Sequence, residues 1–290
     1  MKSMVRVVLI AAAATALLWW LWPPGQDGSR PANMAWRYEE EPVPMVVLMY
    51  HSIDSNPRRS GPYTITPEEL RKDLEYLKQE GYHTVVVADL VGYVQDGTPL
   101  PDKPVMITFD DGYYNNYCNA FPLLQELEMR AVISVIGEEV DRFSLVDEPN
   151  EKYASLSWHQ IQEMHGSGLV EFQNHGYGLH TMGGSRHGLR RQRGEGATHY
   201  EDTIRADVGK VQERFQEMLG VAPQAFAYPF GVVTREGDQV LRELGFLATL
   251  DAQGRVFELT REEDCLWRIP RYNRPAGTTA QRILEKALDP

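Results

Sequence analysis

The decapeptide VMITFDDGYY, residues 105–114, decides how the rest of the chain is read. Val105, Met106 and Ile107 have the unbroken apolar character of a buried strand, and Thr108 and Phe109 extend it. The run then ends on two adjacent carboxylates, Asp110 and Asp111, and a glycine. Neighbouring carboxylates repel, and burying either without a partner is costly. An ordinary Asp-Gly turn, with Asp111 as turn former and Asp110 solvated, accounts for these residues locally. The other strands of the chain supply the alternative.

MVVLMYH (45–51) is a second short apolar run. Thr66, Pro67 and Glu69 then mark a helix start, Leu70, Leu74 and Leu77 form its apolar face, and Gly81 stops it. HTVVVADL (83–90), AVISVIG (131–137), LVEFQ (169–173), AFAY (225–228), FLATL (246–250) and LWRI (266–269) read as further strands. Helices are expected between them: one ending near Met129, one from Ser157 through Met164, and one from about Tyr200 to Leu219. VLRELG (240–245) and a closing QRILEKAL (281–288) add two more. Strands separated by helices of this length imply an α/β fold with a parallel sheet, and seven or eight such units imply a (β/α) barrel. Ligands then sit at the C-terminal ends of the strands. To that rim the chain delivers Asp110 and Asp111, His51 after VVLMY, His175 after LVEFQN, and the turn Pro229-Phe230-Gly231 after FAY.

The 290 residues are 42% hydrophobic and 24% charged, an ordinary globular balance, with a net charge of -12. That acidity gives no electrostatic support to nucleic-acid binding. The N-terminus differs from the rest. Lys2 and Arg6 precede an apolar run from Val7 to Trp22, a helix of roughly 24 Å, followed by Pro23-Pro24. Residues 1–24 are expected to be an uncleaved signal anchor, a single transmembrane helix placing the remainder outside the cytoplasm. A signal peptide cut after Ala14-Thr15-Ala16 is the rival reading. Residues 25–43 read as a polar linker, and 44–290 as one catalytic domain. Cys118 and Cys265 are the only cysteines, and no local spacing pairs them.

EFQNHGYGLHTM (171–182) places His175 and His180 on the segment leaving a strand. Two imidazoles and a carboxylate from another strand end make a three-ligand set that leaves a divalent ion an open position for water. A second carboxylate beside the ion can take that water's proton. This gives the two aspartates separate tasks. A glycosidase acid/base pair is a poorer reading, because catalytic carboxylates stand about 5 Å or more apart across the bond. Neighbours on a strand also point to opposite faces, and the histidines would go unexplained.

ITFDDGYYNNY (107–117), NHGYGLH (174–180) and FAYPFG (226–231), in this order, resemble the polysaccharide deacetylases of carbohydrate esterase family four. VVLMYHSI, GYHTVVVADL and PLPDKPVMITFDDGY extend the likeness, which covers roughly residues 44–272. It implies a distorted (β/α)7-8 barrel that uses a divalent metal, Zn first and Co, Mn or Fe as alternatives, to remove acetyl groups from a polysaccharide. By the same likeness Asp110 matches the general base and Asp111, His175 and His180 the metal ligands. Phe230 matches the aromatic residue whose backbone N–H meets the oxyanion. The two histidines stand five residues apart rather than four, with Gly176 and Gly178 where a related branch has Thr and Asp.

Two departures stand out. Ala227 occupies the place of the family's base-orienting arginine, with Arg268 and Arg271 as candidate replacements. No histidine occurs in LWRIPRYN, where a general acid is expected. His51 is the candidate proton donor or substrate contact, with a structural histidine as the bland alternative. His83, His159, His165, His187 and His199 read as surface residues. A membrane-anchored deacetylase of an N-acetylated surface polysaccharide, of peptidoglycan or poly-N-acetylglucosamine type, is the leading expectation. A catalytically weak glycan-binding protein on the same barrel is the alternative.

Overall fold

The computed structural model describes residues 41–146, 148–180 and 186–288. The expected signal anchor and the linker as far as residue 40 lie outside the described residues, among which no helix is long and apolar enough to cross a membrane.

Strand β1 (Val43–Tyr50) is followed by a small parallel pair, β2 (Ser52–Ile53) and β3 (Thr64–Ile65). Helix α1 (Pro67–Gln79) starts on a complete capping box, in which Glu69 N–H donates to Thr66 Oγ1 and Thr66 N–H to Glu69 Oε2. Leu70, Leu74 and Leu77 are fully buried, each worth about 1.5–3 kcal/mol of transfer free energy. Next come β4 (His83–Thr84), α2 (Val87–Asp96), β5 (Pro104–Phe109), α3 (Phe121–Leu127) and β6 (Ala131–Val135). They lead to α4 (Gly137–Leu145), α5 (Trp158–Gly166), β7 (Val170–Asn174) and the long α6 (Ala197–Leu219). The chain finishes with β8 (Ala225–Ala227), α7 (Arg235–Glu243), β9 (Ala248–Leu250), β10 (Phe257–Leu259), β11 (Tyr272–Asn273) and α8 (Ala280–Leu288).

Parallel pairing runs β1-β5-β6-β7-β8-β9, with β10 antiparallel to the start of β1. The sheet curls into a half-barrel. Its open side is bridged where Ile269 pairs with Leu250 and β11 with Leu48 and Met49 of β1. The expected barrel is therefore a distorted one, closed by a few residues rather than a full strand. LWRI does not form the last strand: Glu263–Leu266 is a 3-10 turn, and Arg268 has φ 63. Pro270 then lacks the N–H a ladder needs. HTVVVADL is corrected likewise. Only His83 and Thr84 pair, because the Asp89 carboxylate accepts the Val86 N–H at 2.8 Å and starts α2. Val85 and Val86 are buried from the extended segment leading into α2 and Val87 from its first turn, so the apolar run is right but only its start is strand.

Register is what positions the site. Tyr50 pairs with Phe109, Val135 with Asn174, and Ala227 with Leu250. The residues that follow these strands, His51, Asp110, Asp111 and His175, therefore emerge at one end of the sheet.

Candidate active site

Asp110 and Asp111 diverge because the backbone turns sharply between them. Asp111 and Gly112 are both left-handed, with φ 70 and 68. Glycine is required at the second position, where a Cβ would lie 2.8 Å from Val135 Cγ1. The turn sends the two carboxylates to different partners.

Asp110 receives Arg271. Both guanidinium arms donate to the carboxylate at 2.7 Å, and both side chains are almost completely buried. Arg271 also donates from Nε to Asp251 O at 2.8 Å, which fixes the plane of the fork. Burial by itself would raise the Asp110 carboxyl. The Arg271 charge outweighs it, helped by His175 and His51, and holds Asp110 below its usual range. Ala227 is a buried strand residue with no room for the arginine expected there, and Arg268 pairs with Asp238 instead. The guanidinium against Asp110 is therefore that of Arg271, from the residue just before β11.

Asp111 faces the histidines. Its Oδ1 lies 3.4 Å from His175 Nε2 and 3.4 Å from His180 Nε2, and it is buried without a hydrogen-bond partner among the described residues. One ligand atom from each of the three residues falls within 4.8 Å of the others. His175 Nδ1 is 2.8 Å from Ala227 O, so the ring carries its proton on Nδ1 and offers the Nε2 lone pair toward Asp111. Burial would raise Asp111, but His175, His51 and His180 outweigh it and hold the carboxyl well below the usual range. An oxygen with no protein donor among the described residues, facing two imidazole nitrogens, fits a divalent metal ion.

His51 joins the same cluster. Its Nδ1 is buried without a partner among the described residues, its ring meets Tyr63 at 4.8 Å, and its carbonyl accepts from Asn116 Nδ2 at 2.8 Å. Burial holds its imidazole below the ordinary histidine value, against the pull of Asp110 and Asp111. Phe230 occupies a left-handed position, φ 59 and ψ 14, in the turn Pro229–Gly231. Its ring is sandwiched between His180 at 4.2 Å and His187 at 4.1 Å. His187 is exposed, as a surface residue should be, yet it has a partner at the site that the sequence reading did not foresee. Tyr113 was missed as well, although it lies inside the opening decapeptide. Burial pushes its phenol upward, and the charge of Asp111 adds to the effect. Cys118 and Cys265 are unpaired.

Residues 97–249 match the family model described as polysaccharide deacetylase. The chain is 26% identical over 261 residues to the poly-beta-1,6-N-acetyl-D-glucosamine N-deacetylase of Escherichia coli K12, a match that covers 84% of this chain and 38% of that protein. The chain thus spans well under half the length of that relative. An enzyme of the same name from Staphylococcus epidermidis is 22% identical over 209 residues, covering 72% of this chain and 67% of that one. Among solved structures, IcaB from Ammonifex degensii aligns with a TM-score of 0.66 at 28% identity, over 84% of this chain and 97% of that one. The de-N-acetylase of Aggregatibacter actinomycetemcomitans shares the fold, with a TM-score of 0.70 at 22% identity over 83% of this chain and 100% of its own.

Proposed function

The chain belongs to the polysaccharide deacetylase family, and from that premise we propose that it hydrolyses acetamido groups on a poly-N-acetylglucosamine-type polysaccharide. One observation carries the reading. Two adjacent aspartates have opposite environments, one gripped by a buried guanidinium and one left open beside two imidazole nitrogens. Asp111, His175 and His180 would hold a divalent ion. Such an ion supplies Lewis-acid polarisation of the acetyl carbonyl and a water acidic enough to ionise near neutral pH.

The remaining steps fall to the chain's own groups. Asp110, kept ionised and oriented by Arg271, accepts the proton of the attacking water. The Phe230 N–H donates to the developing oxyanion. His51 in its charged form, a stronger acid than an ordinary imidazolium because burial lowers its pKa, delivers a proton to the departing amine, since an amide nitrogen is a poor leaving group as an anion. The substrate class is supported by the names of the relatives above. The basic residues and apolar run of residues 1–24 support a membrane tether with the domain outside the cytoplasm. Against the weak glycan-binding alternative stands the buried bidentate pair of Arg271 with Asp110, which answers the absence of an arginine at Ala227.

Acetate release from poly-N-acetylglucosamine and chitin-type oligomers, with and without a chelator, tests the reading. Asp110→Asn is expected to keep metal while losing at least about 10²-fold in turnover. Asp111→Asn is expected to lose both. Activity indifferent to chelation, or equal metal loss in the two variants, would overturn it.

A further inference from the structure

We propose that Asp207, on α6, is a positioning residue that shapes the loop carrying the two metal-binding histidines; the inference rests on the metal-site reading above. Only Gly176, Tyr177, Gly178 and Leu179 separate His175 from His180. Asp207 accepts the Tyr177 N–H on Oδ1 at 2.7 Å and the Gly178 N–H on Oδ2 at 2.8 Å. From the other side the first residues of α4 donate to the same loop, Gly137 N–H to Gly176 O at 3.0 Å and Glu138 N–H to Tyr177 O at 3.1 Å. Asn174 Oδ1 takes the Gly176 N–H at 2.8 Å. The loop is thus held by its backbone from both flanks.

Gly176 suits the carboxylate's approach: it has φ 81, and a Cβ there would lie 3.3 Å from Asp207 Oδ1, whereas one on Gly178 would make ordinary contact at 3.5 Å from Oδ2. Tyr177 is pinned in turn, its hydroxyl donating to Asp141 Oδ2 at 3.1 Å and its ring covered by the Lys210 ammonium at 3.5 Å. His175 has its own anchor in Ala227 O, whereas His180 depends on this loop and on the Phe230 face. Asp207 touches neither imidazole, so it acts through the path of the chain. Zinc–nitrogen distances near 2.0–2.1 Å tolerate little error in that path.

The test strips the full chain of metal and titrates it with Zn²⁺ against a chromophoric chelator, comparing wild type with Asp207→Ala, Asp207→Asn and Asp207→Glu. Asn is isosteric but turns an N–H₂ toward one of the two amides, so it also serves if the Ala variant fails to fold. Both are expected to bind zinc about 10–100-fold more weakly, with the circular dichroism of the metal-free protein unchanged. Glu retains two acceptor oxygens and should recover part of the loss. Zinc affinity equal to wild type in the Ala or Asn variant overturns the proposal and leaves the metal site standing. A wild type that binds no zinc removes both. A wild type that binds zinc but releases no acetate sinks only the deacetylase reading, and the Asp207 comparison still supports its role.

Discussion

Asp110 and Arg271 show how a single residue can be decided by a partner 161 positions away. A buried carboxylate is tolerable only when its charge and lone pairs are met, and the guanidinium fork meets both. Arg271→Lys keeps the charge but loses the bidentate geometry, so a fall of about 10–10²-fold in kcat/KM is expected. Arg271→Met strands the carboxylate and should cost about 3–5 kcal/mol in denaturant unfolding. Combining it with Asp110→Asn should recover most of that stability and none of the activity. Recovery of neither would mean that the pair is not what makes the site costly to break. His51 is separable by substrate. His51→Ala should lower turnover of an N-acetyl glycan by about 10²–10⁴-fold and affect an O-acetyl ester much less, because an alkoxide leaves more readily than an amide anion. Equal losses on both would remove it as proton donor.

The turn Pro229–Gly231 is an element whose conformation is imposed from outside. A bulky residue at φ 59 is unfavourable in isolation, and here rings cover both faces of Phe230. Stacked aromatic pairs contribute about 0.5–1.5 kcal/mol beyond burial, equivalent to roughly 2–10-fold in a rate. His187→Ala should therefore reduce kcat by about that factor, and His187→Phe should restore it. Failure of Phe to rescue would assign the effect to the imidazole rather than the stack. The same logic governs α2. The valines before it favour a strand and Val85 N–H still bonds to Val105 O, but the Asp89 side chain accepts the Val86 N–H at 2.8 Å and turns the chain into the helix at Val87.

At the scale of the molecule, the two ends of the described chain are joined through one buried cluster. Arg274 Nε donates to Asp73 Oδ2 at 2.6 Å, Tyr50 donates to the same oxygen at 3.1 Å, and Ala280 N–H at the start of α8 donates to Asp73 Oδ1 at 2.8 Å. These contacts tie β1, α1 and the C-terminal helix around the strand pairing of β11 with β1. Arg274→Met should cost about 3–5 kcal/mol by leaving the buried Asp73 without its charge partner, measured as a lower denaturant midpoint with an unchanged slope. A loss under about 1 kcal/mol would show that the half-barrel closes without it.

Local chemistry determined a great deal of this protein. The apolar runs of β1, β5, β6 and β7, the capping boxes at Thr66 and Ser157, and the buried stripe of α6 are all legible because each depends on neighbours within a few residues. So are the three residues that converge as a possible metal site, since a parallel sheet puts its strand ends on one rim. What remained open depended on chain pairs far apart in sequence. Arg268 and Arg271 were equal candidates until the bend at Arg268 and Pro270 sent one to Asp238 and the other to Asp110. Phe230 with His187, and Asp207 with the glycines of the histidine loop, are likewise packings between segments whose meeting no local periodicity encodes. Periodicity reports which face a residue shows, whereas a partner's identity is set by how the whole sheet curls and closes.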